Sequence, residues 1–324
     1  MNFTENALNV MTARTYKGIG RAWIAKNLST VKSDVEIVSL LSSSGKVKSA
    51  ISIEEFRRKR SVLQKILLDS AGSVDGVIAL GDKDFPQHRG IVKNSEKPIF
   101  LFYRGDLSLL TENSKNIAVI GLLTPDEDIE SEEKEVVAEL VRSGAVIVSG
   151  LAFGCDSIAH RQALDCDGLT IAILPSPLND VIPARNRALA GEIVEKGGLL
   201  ISEYLTVAKS KMEMSARYQE RDRLQALFSN SIILSASYAK NNLGNDSGSR
   251  LAMGYAKDYS IPRVVIYDME KYVENPMFDL NRQIMREEPD VIVINSQNKA
   301  LVVDRIMRLR PPRADAPSIQ PRMI

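Results

Sequence analysis

Residues 145–164 read AVIVSGLAFGCDSIAHRQAL: a short run rich in Val and Ile, then Ser149, Gly150 and Gly154 among small residues, then apolar positions at helical spacing. An unbroken apolar run marks a strand covered on both faces. A small-residue turn leading straight into an amphipathic stretch completes the unit of strand, tight crossing and helix. Similar runs recur as GVIALG (76–81), PIFLFYRG (98–105), NIAVIG (116–121), LTIAIL (169–174), GLLISE (198–203), SIILSA (231–236), IPRVVIYD (261–268) and DVIVIN (290–295). Most of those from residue 116 onward are separated by segments of helical periodicity. Buried strands alternating with helices predict an α/β fold, an extended Rossmann-like, doubly wound and mostly parallel sheet.

In front of the sheet, TENALNVMTA, RAWIAKNL, DVEIVSLL and the long amphipathic ISIEEFRRKRSVLQKILLDSAG predict a small helical domain over residues 1–74. The sheet domain then occupies 75–297. Residues 298–324 supply a short terminal helix and the tail LRPPRADAPSIQPRMI, which has little to bury and is expected to be disordered. Lys17-Gly18-Ile19-Gly20 resembles the turn of a helix-hairpin-helix, and fits an ordinary glycine turn in a packing module more simply. The basic run Arg57, Arg58, Lys59, Arg60 follows Glu54 and Glu55 and reads as a solvated helix face.

With 324 residues, 44% of them hydrophobic and 26% charged, the chain has enough apolar content for a substantial core. A formal net charge of +1 excludes a polycation that coats nucleic acid wholesale and leaves a local basic face open. Cys155 and Cys166 have no neighbouring cluster of His or Cys, so neither a disulfide framework nor a metal site is expected and both thiols should be reduced. The first residues lack the apolar core of a signal peptide and no later run approaches a membrane span, which predicts a cytoplasmic protein.

Ligands of an open parallel sheet gather at the carboxyl ends of its strands. After NIAVIG come Asp126, Glu127, Asp128 and Glu130, which suit a helix start but repel an anion, and no GxGxxG pattern is present. The crossing at 149–156 is the better anion cradle, because Gly154 permits close backbone approach and the helix beginning near Cys155 or Asp156 points free amides into the crevice. Asp156 fits a helix cap or loop brace more simply than a general base. His160, one turn on, can face it, yet a lone helical His is more simply a structural hydrogen-bonding residue. No GxSxG nucleophile elbow is present. Further on, Arg185, Asn186 and Arg187 follow Pro183 at a helix start. Glu203 ends a strand, Arg221 and Arg223 precede an apolar helix face, and Ser247, Gly248 and Ser249 form a second small-residue cradle.

Taken in order, VSGLAFGCDSIAHRQAL, LTIAILPSPLNDVIPARNRALAGEI, GGLLISEY, YQERDRLQALFSNSIILSAS, SGSRLAMGYA and IPRVVI closely resemble the DNA-processing protein A (Smf) family, over residues 82–268. The stretch from Phe85 to Leu110 looks like that family's approach to its extended Rossmann domain. The resemblance implies a homodimer that binds single-stranded DNA and loads a RecA-type recombinase in recombination and transformation, with no cofactor and no enzymatic turnover. With Arg185 added from the residues themselves, it implies a DNA- or phosphate-binding set of Ser149, Gly150, Gly154, Arg185, Asn186, Arg187, Arg221, Arg223, Ser247, Gly248 and Ser249, braced by Asp156, His160 and Glu203. Two departures stand out. The family's Gly-Ser-Arg turn is replaced by Gly121-Leu122-Leu123 followed by acids, and its Arg-Asn-Arg turn by Arg221-Asp222-Arg223. They leave a second reading, a Rossmann sensor of a nucleotide-derived ligand in a stress or defence system. A phosphoribohydrolase is disfavoured because no PGGxGT loop is present.

Overall fold

The computed structural model describes residues 1–47, 51–70, 72–240 and 248–312. Among them ten strands form one sheet: β1 (Asn2–Phe3), β2 (Gly76–Ala79), β3 (Phe100–Gly105), β4 (Asn116–Ile120), β5 (Val146–Ser149), β6 (Thr170–Leu174), β7 (Leu199–Ser202), β8 (Ser231–Leu234), β9 (Arg263–Ile266) and β10 (Ile292–Ile294). The nine apolar runs of the sequence are β2 to β10. The two-residue β1 is too short to carry a periodic signal.

Strand order is β1-β2-β3-β7-β6-β5-β4-β8-β9-β10, and every neighbouring pair is parallel except the two made by β3. Each residue of β4, β5, β6, β7, β8 and β9 is buried, so these strands show no alternation of apolar and polar residues. Helices cover both faces. On one lie α8 (Lys211–Leu227) and α9 (Gly248–Asp258), with Leu224, Leu227 and Met253 in the core. On the other α5 (Glu127–Arg142) and α6 (Cys155–Asp165) bury Val137, Leu140, Ala159 and Ala163 beside α11 (Lys299–Arg308). The order reverses at β4, with β5 to β7 on one side and β8 to β10 on the other. Connections therefore leave β4 and β8 in opposite directions, and a crevice opens beyond their carboxyl ends.

Of the amino-terminal helices α1 (Glu5–Arg14), α2 (Arg21–Asn27), α3 (Asp34–Ser42) and α4 (Ile53–Asp69), α1, α3 and α4 start at side-chain caps, Thr4, Ser33 in a capping box with Glu36, and Ser52, and α2 starts after Gly20. Their core is continuous with the sheet. Leu8, Ile24 and Phe56 share one apolar cluster with Leu174 of β6 and with Leu189 and Ile193 of α7 (Arg187–Glu195), and β1 pairs in parallel with β2. The glycine turn before α2 buries Ile19 and leaves Lys17 and Gly18 exposed, with the Lys46 backbone packed close to it. A Cβ on Gly18, at φ +89°, would stand 2.9 Å from the Lys46 carbonyl oxygen. Three residues of the basic run of α4 meet neighbouring groups, Arg57 pairing with Asp34 at 2.7 Å, Arg60 with Glu5, and the Lys59 ammonium lying 4.2 Å above the Tyr16 ring, while Arg58 is exposed.

At the front of the sheet the buried Arg89 guanidinium donates to the carbonyls of Phe228, Thr111 and Ser114 at 2.7, 3.2 and 3.0 Å, tying the loop that precedes β3 to the ends of α8 and β4. No helix among the described residues is long and apolar enough to cross a membrane. Because Leu8 is fully buried in the cluster shared with β6 and α7, Leu8→Ala is expected to cost ~3 kcal/mol. In urea denaturation followed by circular dichroism and tryptophan fluorescence the loss should appear in one transition. A separate early transition confined to Trp23 would contradict the shared core.

Candidate functional site

The end of β4 and the loops after β4 and β5 face α8 and the start of α9 across a cleft of about 420 Å³. Gly121 and Leu123 come from the first loop, Phe153 and Asp156 from the second, Tyr218, Arg221, Asp222 and Gln225 from α8, and Gly248 and Ser249 from α9. Two glycines make the second loop possible. A Cβ on Gly150 would sit 1.2 Å from Arg221 Nη1, and one on Gly154, at φ +66°, would sit 2.2 Å from the Leu122 carbonyl oxygen. Cys155 N–H donates to that same Leu122 carbonyl at 2.9 Å, so the first loop caps an amide of α6 that the sequence had offered to an anion.

The polar residues of the cradle are committed to the fold. Ser149 Oγ donates to the Val119 carbonyl at 2.7 Å, and Ser249 Oγ to the Gly121 carbonyl at 2.9 Å. Asn186 Nδ2 donates to the carbonyls of Leu151 and Ala152 at 2.9 and 3.1 Å, holding Leu151 at φ +57°. Ser247 lies outside the described residues. Three acids of the first loop have partners as well: Asp126 caps α5 through Ile129 N–H at 2.9 Å, Glu130 pairs on the surface with Lys134 at 2.5 Å and Asp128 with Lys271 at 3.3 Å.

The expectation that Arg221 and Arg223 contact phosphate meets a different geometry. Their side chains are 7% and 3% exposed. Arg221 lies 3.3 Å from Asp156 and 3.4 Å from Asp222, and the Gln225 carbonyl oxygen, in the amide orientation that satisfies its neighbours, accepts from Arg221 Nη1 and Gly150 N at 3.0 Å each. Arg223 donates to both oxygens of Glu203 at 2.7 Å. Glu203 also takes Arg21 of α2 at 3.2 Å, and Arg21 reaches Glu220 at 2.5 Å. By contrast Arg185 and Arg187, just past Pro183 of the cleft wall, are exposed. Arg187 makes only a surface pair with Asp180 at 3.1 Å, an interaction of small net worth.

Burial raises the Asp222 carboxyl to about 7, with Arg221 pulling the other way and Asp156 adding to the rise. Beneath the cleft Glu133 is fully buried beside the Cys155 thiol and the Ser235 hydroxyl. Burial lifts it to about 8 against the hydrogen bonding of those two neighbours. Burial, and then Glu133, push the Cys155 thiol well above its ordinary value, which leaves it a poor nucleophile. His160 does not turn to Asp156. Its Nδ1 lies 2.6 Å from Thr170 Oγ1, whose own proton goes to the Ile147 carbonyl at 2.8 Å, so this network assigns the imidazole proton to Nδ1. Burial, and then Arg221, lower His160 to about 3, and the neutral ring ties α6 to β6. Asp156, with Arg221 and the Ala152 amide as partners, braces the loop. Among the described residues no group of three His, Cys, Asp or Glu side chains is placed to hold a metal ion.

Sequence reasoning missed Arg21, Phe153, Tyr218, Gln225 and Glu133. A signal for Glu133 existed: it falls on the Ile129, Val136, Val137, Leu140 stripe of α5 rather than on the charged face. Arg21 carried none, because its partners Glu203 and Glu220 lie far along the chain.

Sheet reversal, crevice and small-residue cradle define a Rossmann-type binding protein. Residues 76–299 match the family model for DNA recombination-mediator protein A, and the chain belongs to that family. It is 27% identical to protein Smf of Borreliella burgdorferi over 197 residues, covering 60% of this chain and 57% of that one. Over 114 residues it is 35% identical to protein Smf of Escherichia coli, covering 35% and 30%. The aligned stretches thus span less than two thirds of these relatives. The fold is similar to DNA processing protein A of Streptococcus pneumoniae, with a TM-score of 0.68 at 21% identity over 93% of this chain and 98% of that one. It is also similar to the Helicobacter pylori protein described for its single-stranded DNA binding mode, with a TM-score of 0.53 at 26% identity over 69% and 99%.

A carboxyl whose folded-state pKa is raised holds its proton more tightly in the folded chain, so stability falls as pH rises from the unfolded value towards the folded one. For Glu133 that window runs from 4.5 to about 8. Glu133→Gln removes the ionisable group and is expected to stabilise the protein at pH 8.5 by on the order of a few kcal/mol, flattening the decline of thermal midpoint across the window. Midpoints of wild type and variant that fall in parallel from pH 5 to 8.5 would show that Glu133 does not titrate there.

Proposed function

We propose that the chain binds single-stranded DNA and mediates recombination by presenting the strand to a RecA-type recombinase. The observation that carries this reading is the arrangement at the sheet reversal. The cleft has Phe153, 45% exposed, and Tyr218 in its wall, and the exposed guanidiniums of Arg185 and Arg187 stand beyond Pro183. Base stacking on aromatic faces combined with cations along the backbone is how proteins hold single strands without sequence readout. In this reading a base enters the cleft and phosphates stay on the rim at Arg185 and Arg187, while Arg221 shapes the cleft from inside and Arg223 is held by Glu203 outside it. Family membership supports it, and so does the single-strand binding for which the Helicobacter pylori relative is described.

The protein acts by holding the strand rather than by turnover. His160 is neutral and locked to Thr170, and the Cys155 thiol is buried and kept protonated. A homodimer in the cytoplasm, engaging one strand at two clefts, gains affinity through effective concentration. The second reading, a nucleotide-derived ligand sensed in a stress or defence system, is favoured by the two carboxylates that match Arg221 inside the cleft. A thermal-shift screen with nucleotides and nicotinamide derivatives distinguishes the two.

The test is a titration of a labelled mixed-sequence single strand at increasing salt. Arg185→Ala and Arg187→Ala should each weaken binding several-fold and reduce the slope of log K against log salt by ~0.7, the signature of one lost phosphate contact. Absence of binding at low salt would sink the reading. Unchanged salt slopes in both variants would move the phosphate path away from this rim.

A further inference from the structure

We propose that Asp222 makes the cleft discriminate among bases, favouring guanine over thymine; the inference rests on the single-strand reading above. Asp222 belongs to the cleft wall, with its side chain 6% exposed. One carboxylate oxygen lies 3.4 Å from Arg221 Nε. The other faces the first residue of α9, Gly248, where a Cβ would stand 3.2 Å from it, so a side chain there would crowd the carboxylate.

Three other polar side chains of the wall are already engaged. Ser249 donates to Gly121, Gln225 serves Arg221 and Gly150, and Asp156 serves Arg221 and Ala152. Phe153 and Tyr218 present faces on which any base can stack. Selection among bases therefore falls to Asp222. One guanidinium confronts two carboxylates here, so the interior of the cleft repels a phosphate and attracts N–H donors.

An ionised carboxylate only accepts hydrogen bonds. Guanine offers it two adjacent donors, N1–H and N2–H, on one edge. Adenine and cytosine offer one donor beside an acceptor that the carboxylate repels. Thymine offers N3–H between two carbonyl oxygens and fits worst. The departure from the family's Arg-Asn-Arg pattern thus has a chemical consequence, because an amide at position 222 presents one donor and one acceptor and loses the preference.

The experiment is fluorescence anisotropy with the full chain at pH 8.5, where Asp222 is ionised. It uses a labelled oligothymidine and the same strand carrying guanine at every fourth position. Wild type should bind the guanine-bearing strand about ten-fold more tightly, the discrimination expected of one good bidentate contact. Asp222→Asn, checked for folding by its thermal midpoint, should bring the two affinities within about two-fold of each other. Equal wild-type affinities for the two strands, or a preference that survives in Asp222→Asn, would overturn the assignment while leaving single-strand binding intact. Failure to bind either strand at low salt would instead overturn the single-strand reading and this inference with it.

Discussion

The Arg221 guanidinium lies against the bare α-carbon of Gly150, and the crevice takes its form from that contact. A buried guanidinium is tolerated only where its charge is met and its donors are used, and here Asp156, Asp222 and Gln225 meet it from two helices. The contact draws α6, α8 and the turn after β5 to one point and so sets the width of the cleft. It requires glycine at 150, an acid in the first turn of α6, and an amide one turn along α8 from the arginine. The residues that looked most like a phosphate cradle in the sequence are the framework of a charge buried inside the fold.

A second network does the same for the amino-terminal helices. Arg21 of α2 bridges Glu203 at the end of β7 and Glu220 of α8, and Glu203 in turn holds Arg223. Burial alone would raise the Glu220 carboxyl, yet Arg21 and the Tyr204 hydroxyl outweigh it and hold the group at about 2. With the apolar cluster that runs from Leu8 to Ile193, this network attaches the helices to the same end of the sheet that carries the cleft. Matching arginines to carboxylates in this way also accounts for a nearly neutral chain whose site is full of basic residues. Next to the cleft wall at Pro183, Arg185 and Arg187 stay exposed.

The local sequence determined the strands, the turns and the family. Uniform burial of the central strands erased their alternation and made them readable as apolar runs. Ser, Thr and Asp caps marked helix starts, and the ordered loop motifs placed the ligand end of the sheet. These signals survive translation into structure because each depends on neighbours a few residues away. The antiparallel setting of β3 and the addition of β1 at the edge left no such mark.

What only the tertiary structure decided was partnership. Asp156 and Arg221 are 65 residues apart, and Arg21 and Glu203 are 182 apart. His160 chose Thr170 on an adjacent strand over the acid one turn before it on its own helix. Whether an arginine is a hand held out to phosphate or a buried counter-ion depends on which segments the fold brings against it. A basic residue has the same local pattern in either role. Local pattern therefore told where the candidate site lies, and the packing of α6, α8 and the β5 turn told which of its charges are buried and paired.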